Sequence, residues 1–114
     1  MLTNHEIGEV LELEVGPAFL PDFHRDDIAC FTHIRPVLLA MGWMIEQYPY
    51  GTYVRREVGG GGPISVWECV GEHPEDGSPV AYSTALCDAI TYAHEHRRDE
   101  LVRAVEEVKH GALG

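Results

Sequence analysis

Basic side chains are scarce. Eight Lys and Arg stand against 19 Asp and Glu, so the chain carries a formal net charge of −11 with histidine neutral. Backbone phosphates are held by concentrated Lys and Arg, so direct binding of DNA or RNA is disfavoured from the outset. Cysteine is sparse as well. Cys30, Cys69 and Cys87 are odd in number, lie far apart and form no CxxC pair, which speaks against a disulfide framework and for a reducing compartment such as the cytoplasm. No apolar run approaches the roughly 20 residues of a membrane-spanning helix, so no membrane is expected. Met1 to Glu14 holds four glutamates and no early basic cluster, which is the pattern of neither a secretory signal nor a transit peptide.

What is present is the composition of an ordinary globular domain. Of 114 residues, 45% are hydrophobic and 24% charged, enough to bury one core without disulfides or metal and too few for two. One domain over 1–114 is the expectation. The excess negative charge has two readings: it favours a basic protein partner through long-range attraction, or it only keeps the protein soluble.

Thr3 to Glu6 has the T-x-x-E form of a capping box, and Ile7, Val10 and Leu11 follow at helical spacing, with Glu6, Glu9 and Glu12 around them. This predicts a helix to about Val15, ended by Gly16-Pro17; a strand over Leu11–Val15 competes, because apolar and acidic residues alternate there. Phe19, Leu20 and Phe23 sit in a loop expected to cover one end of the core. Asp26 is the predicted N-cap of a second helix carrying Ile28, Phe31, Ile34, Leu38 and Met41, stopped by Gly42, with Pro36 expected to kink or divide it.

Trp43–Tyr48, Thr52–Val58 and Ile64–Val70 are rich in β-branched and aromatic residues. A tight turn at Tyr48-Pro49-Tyr50-Gly51 and a loose one at Gly59–Pro63 separate them, which predicts an antiparallel meander. Trp43 and Ile45 point to one face, Met44 to the other, and Trp67 opposes Val66, so helices on both faces of the sheet are expected. An acidic loop, 71–79, precedes a last helix capped by Ser83 or Thr84, with a stripe of Leu86, Ile90, Ala93, Leu101, Val105 and Val108. It reads either as one long helix or as two joined within His96–Asp99. The fold class is therefore α+β: a three-stranded antiparallel sheet with helices packed on it, in the order α-α-β-β-β-α.

Seven histidines invite a metal site, but His94 and His96, two apart on a helix, point roughly 200° from one another and cannot readily share an ion. Gly59–Gly62 lacks the Lys and Ser or Thr of a phosphate-binding loop and is followed by Pro63 and a strand. No G-x-S-x-G elbow is present, and Cys30 and Cys87 fall on or beside apolar stripes, where cysteine acts as a small hydrophobe. No metal, cofactor or catalytic residue is expected. Tyr48, Tyr50 and Tyr53 cluster about the first hairpin with Arg55 and Arg56 after them, the residue types of an interface anchor, with turn packing as the plainer use. The candidate partner-binding residues are this group together with Glu6, Glu9 and Glu12 on the first helix and Glu72, Glu75 and Asp76 in the acidic loop.

Asp27-Ile28-Ala29-Cys30-Phe31, running on to Met41-Gly42-Trp43, and Ala81-Tyr82-Ser83-Thr84-Ala85-Leu86-Cys87-Asp88-Ala89-Ile90 together resemble two stretches of the phage ABA sandwich domain family. The resemblance spans about Asp26 to His96; Pro36, the glycine-rich insertion and the helix beyond Arg97 depart from it. It implies a sheet sandwiched between helices and a phage or prophage origin, and it carries over no catalytic residues. A looser similarity links the chain to small acidic anti-CRISPR proteins. The function expected on these grounds is a non-enzymatic, phage-type inhibitor of host defence in the host cytoplasm, its partner a basic host protein in a nucleic-acid-binding defence complex. The alternatives are a phage structural or assembly protein that self-associates as a homodimer, and a small metal-dependent enzyme.

Overall fold

The computed structural model describes residues 1–59, 66–70 and 80–111. The chain opens with α1, Asn4–Val10, and both halves of its capping box form: the Glu6 amide donates to the Thr3 hydroxyl and the Thr3 amide to the Glu6 carboxylate, each at 3.1 Å. These bonds, the backbone one foremost, hold the Glu6 carboxyl below the usual carboxylate range. The helix stops five residues short of Val15, and Leu11–Val15 forms no strand. Glu12 turns left-handed at φ 55°. The Leu13 amide then reaches back to the Gly8 carbonyl and the Glu12 amide to that of Glu9, both at 3.0 Å, which is the paired bonding of a Schellman ending. In the following loop Phe23 is wholly buried, whereas Phe19 is 80% exposed and stands outside the core. Leu20 packs on α1 so closely that a β-carbon on Gly8 would stand 2.7 Å from its Cδ1.

Asp26 caps the second helical segment through the Ala29 amide at 3.1 Å. The segment runs as α2, Asp27–Ala29, a π-turn over Cys30–Ile34, and α3, Arg35–Ala40. Pro36 supplies no amide and its ring crowds the carbonyl four residues back, so the backbone widens by one residue ahead of it and the Arg35 amide bonds to the Cys30 carbonyl. That extra residue rotates the two ends out of phase. Ile34 and Leu38 are buried, but Ile28 and Phe31, expected on the same stripe, are 78% and 53% exposed. Gly42, at φ 81°, ends α3 with the same pair of bonds that closes α1: the Trp43 amide to the Leu38 carbonyl and the Gly42 amide to that of Leu39.

Strands β1 (Met44–Tyr48), β2 (Gly51–Gly59) and β3 (Val66–Cys69) form an antiparallel sheet in the order β1-β2-β3. Tyr48 pairs with Gly51 across a two-residue turn, and the register continues Gln47 to Thr52, Glu46 to Tyr53, Ile45 to Val54 and Met44 to Arg55. On the far side Arg55, Arg56 and Glu57 oppose Cys69, Glu68 and Trp67, with a bulge before Gly59.

After Val80, which bridges to Thr52, come α4 (Tyr82–His96) and α5 (Arg98–Lys109). The last helix is therefore two, hinged at Arg97 (φ −137°, ψ 42°). Neither Ser83 nor Thr84 caps α4; instead the Asp27 carboxylate, from the start of α2, accepts the Ser83 amide at 3.2 Å. Helix α4 is buried almost all round, because it lies against β2 on one side and meets α1, the π-turn, α3 and α5 on the others. The stripe of Leu86, Ile90, Ala93, Leu101 and Val105 is buried, and Val108 packs against its edge.

Candidate functional site

The sheet has two unlike faces because side chains alternate along each strand. Thr52 and Val54 of β2 are buried under α4, and Ile45, opposite Val54, is half-buried beside them. The other face carries Met44, Glu46 and Tyr48 of β1, Tyr53, Arg55 and Glu57 of β2, and Trp67 and Cys69 of β3. None of these is buried. The expectation of helices over both faces is thus corrected: the helices that touch the sheet, α3 and α4, also touch each other, and among the described residues they cover one face only. The apolar groups on the second face are aromatic rings and a methionine, of which Met44 and Tyr48 are exposed and Tyr53 and Trp67 half-buried.

On that open face the hairpin tyrosines form one assembly. The rings of Tyr48 and Tyr50 stack with centroids 5.1 Å apart and planes 2° from parallel. Tyr53 meets Tyr48 edge-on at 6.1 Å. The Arg55 guanidinium lies over the Tyr53 ring, 4.9 Å from its centroid, and its Nε donates to the Glu46 carboxylate at 2.6 Å. Glu46 also accepts the Tyr48 hydroxyl, an interaction that holds the phenol pKa above its ordinary value. Glu46 thus ties the Tyr48 hydroxyl to Arg55, and the three rings are presented together with Tyr50 68% exposed at the tip. Such rigid, amphipathic rings cost little entropy when a partner covers them.

Of the residues singled out in the sequence, Tyr48, Tyr50, Tyr53 and Arg55 are brought together here. Arg56 is not: one residue further along β2, it points to the helix side and pairs with Glu68 at 2.8 Å. Glu6, Glu9 and Glu12 stand apart from the tyrosines on and just after α1, each with local work. Glu6 closes the capping box, Glu9 pairs with His5 at 2.8 Å, and Glu12 lies 3.8 Å from Lys109. Glu9 and Glu12 also rim a groove of about 360 Å³ floored by Val10, Leu101 and Val105. Glu72, Glu75 and Asp76 lie outside the described residues. Glu46 was missed by the sequence reading, although counting back by two from Tyr48 would have found it.

Two of the three cysteines are engaged structurally, while Cys69 is free and exposed. The Cys30 and Cys87 thiols are both fully buried and donate to one acceptor, the Phe23 carbonyl, at 2.9 and 3.2 Å. Contact with Cys30, and burial after it, push the Cys87 thiol far up, against the thiolate that nucleophilic chemistry requires. His94 and His96 do diverge, as their spacing predicts: His94 Nε2 accepts from Arg98 at 3.2 Å, while His96 lies against Tyr92 with centroids 4.7 Å apart. Among the described residues no three His, Cys, Asp or Glu side chains converge as metal ligands, and no helix is long and apolar enough to cross a membrane. Compared with protein-family models, with curated proteins and with solved structures, the chain matches none.

Proposed function

We propose that this protein is a non-enzymatic binding module that docks on a basic host protein through the open face of its sheet, acting as an anti-defence inhibitor that occupies a nucleic-acid-binding surface. The observation that carries the reading is the Tyr48–Tyr50–Tyr53 cluster, locked by Arg55 and Glu46, on a face that no described helix covers. Aromatic anchors of this kind supply the buried centre of an interface and govern how slowly it dissociates. The net charge of −11 supports the choice of partner, since it draws a basic surface in and raises the association rate. The phage resemblance supplies the setting.

The test is capture from a phage-susceptible bacterial lysate, run in parallel with a Tyr50→Ala/Tyr53→Ala double variant. The reading expects a basic, nucleic-acid-binding protein that the variant releases faster in surface plasmon resonance, that binds more slowly as salt rises, and that duplex DNA competes away. Equal capture by the variant overturns the tyrosine face as the anchor. Capture that DNA does not compete with overturns the occupied nucleic-acid site.

A self-associating phage assembly protein is the second reading, favoured by one observation: Ile28 and Phe31, on one helical segment, are left largely exposed. Sedimentation equilibrium separates the two readings, because a dimer dispersed by Ile28→Lys is expected only of the second.

A further inference from the structure

The directions of the main-chain hydrogen bonds show which edge of the sheet is free. The Thr52 amide donates to the Val80 carbonyl at 2.7 Å, the Thr52 carbonyl accepts the Val80 amide in return at 3.5 Å, and the Val70 amide donates to the Val54 carbonyl at 2.7 Å. Thr52 and Val54 therefore turn their polar groups away from β1. Since these directions alternate along an antiparallel strand, Gly51, Tyr53 and Arg55 face β1 and bond with Tyr48, Glu46 and Met44. The residues between, Ile45 and Gln47, must then turn their N–H and C=O groups outward. Strand β1 is the margin of the sheet, and no described residue bonds to either of these two on that side.

We infer that the β1 edge takes up an extended, basic segment of the partner protein as a fourth strand. This rests on the protein-binding reading above and names how the partner is held. An added strand would satisfy the outward groups of Ile45 and Gln47 and continue the pleat, placing alternate side chains on the two faces of the sheet. On the open face they fall beside the Glu46 carboxylate and the stacked rings of Tyr48 and Tyr50, which favour Lys or Arg through charge and cation–π attraction. On the helix face they fall beside half-buried Ile45, near α3, which packs on β1 and leaves Leu39 exposed, so an apolar residue belongs there. The segment recognised thus alternates basic and apolar residues. Charge selects this occupant over a second copy of the chain, because pairing two β1 edges would bring together two molecules of charge −11 each.

The probe is an eight-residue, end-capped peptide in which lysine and arginine alternate with valine, titrated into the full chain labelled for NMR. Amide exchange at Ile45 and Gln47 is expected to slow at least about tenfold, as main-chain pairing requires, while the glutamate-for-lysine-and-arginine version of the peptide leaves it unchanged. Gln47→Pro removes one outward donor and should abolish the protection of the Ile45 amide at unchanged melting temperature. N-methylation of alternate peptide residues tests the same bonds on the unaltered protein, should the proline variant fail to fold. Shifts confined to Tyr48, Tyr50 and Tyr53 with unchanged exchange at Ile45 and Gln47 overturn strand addition and leave the tyrosine-face reading standing, whereas equal protection by the acidic peptide overturns the basic segment as the occupant. Slow exchange at both amides without peptide, in a dimer seen by sedimentation, overturns it in favour of a second copy.

Discussion

The hydroxyl of Tyr48 donates to the carboxylate of Glu46, two residues back on the same face of β1. That bond is the first cause of the raised Tyr48 pKa, ahead of burial and of the carboxylate's charge. A phenol whose folded pKa exceeds its unfolded value, about 10, adds stability that is fully present below that value and is lost as pH rises through the folded one. Glu46→Ala removes both the acceptor and its charge, so the Tyr48 titration, followed by absorbance near 295 nm, should move back toward the ordinary phenol range, and the extra alkaline loss of stability should go with it. An unchanged titration would show that the carboxylate does not govern the phenol.

The two thiols that share the Phe23 carbonyl should be non-additive. Either Cys30→Ala or Cys87→Ala leaves that buried oxygen one donor, whereas the double variant strips it of both. The double should cost about 1–3 kcal/mol more than the sum of the singles, the penalty of an unmet buried acceptor. Urea unfolding of the four proteins measures it, and costs that add within experimental error would remove the shared acceptor from the account.

Tyr82 is buried with its hydroxyl unpartnered among the described residues, and burial is the first cause of its raised pKa. Deleting an unsatisfied polar atom while keeping the ring relieves a desolvation penalty. Tyr82→Phe should therefore leave stability unchanged or raise it by up to about 1 kcal/mol. A melting temperature lowered by several degrees would reveal a partner for the hydroxyl.

Helices α1 and α3 end in the same bonding pattern with different residues at the left-handed position, Glu12 and Gly42. A β-carbon at Gly42 would meet nothing within 4 Å, so Gly42→Ala isolates the backbone penalty and should cost about 1–2 kcal/mol. Glu12→Gly should stabilise by about 1 kcal/mol, since the ion pair it forfeits to Lys109 is long and exposed. Denaturant midpoints read both, and the same sign in both variants would contradict the argument.

The features that the sequence alone determined are those decided within a few residues: the capping box at Thr3 and Glu6, the Asp26 cap, the turn between Tyr48 and Gly51, the α+β order, and the stripe from Leu86 to Val108. Each follows from local bonding or from the period of a helix or strand. Other features depended on groups brought together from afar. The Ser83 amide is met by a carboxylate 56 positions away, which no rule for local caps could supply. Pro36 announced a break but not its form, because whether the backbone kinks or widens into a π-turn depends on which side chains must be buried on either side of it. The early end of α1 passed unseen because a glutamate took a conformation that sequence rules reserve for glycine. For the candidate site, composition and position grouped Tyr48, Tyr50, Tyr53, Arg55 and Arg56. Only the packing of α4 on one side of β2 decided that Tyr53 and Arg55 face solvent beside Glu46 while Arg56 turns under the sheet, since a strand's alternation separates neighbours but leaves open which side becomes the core.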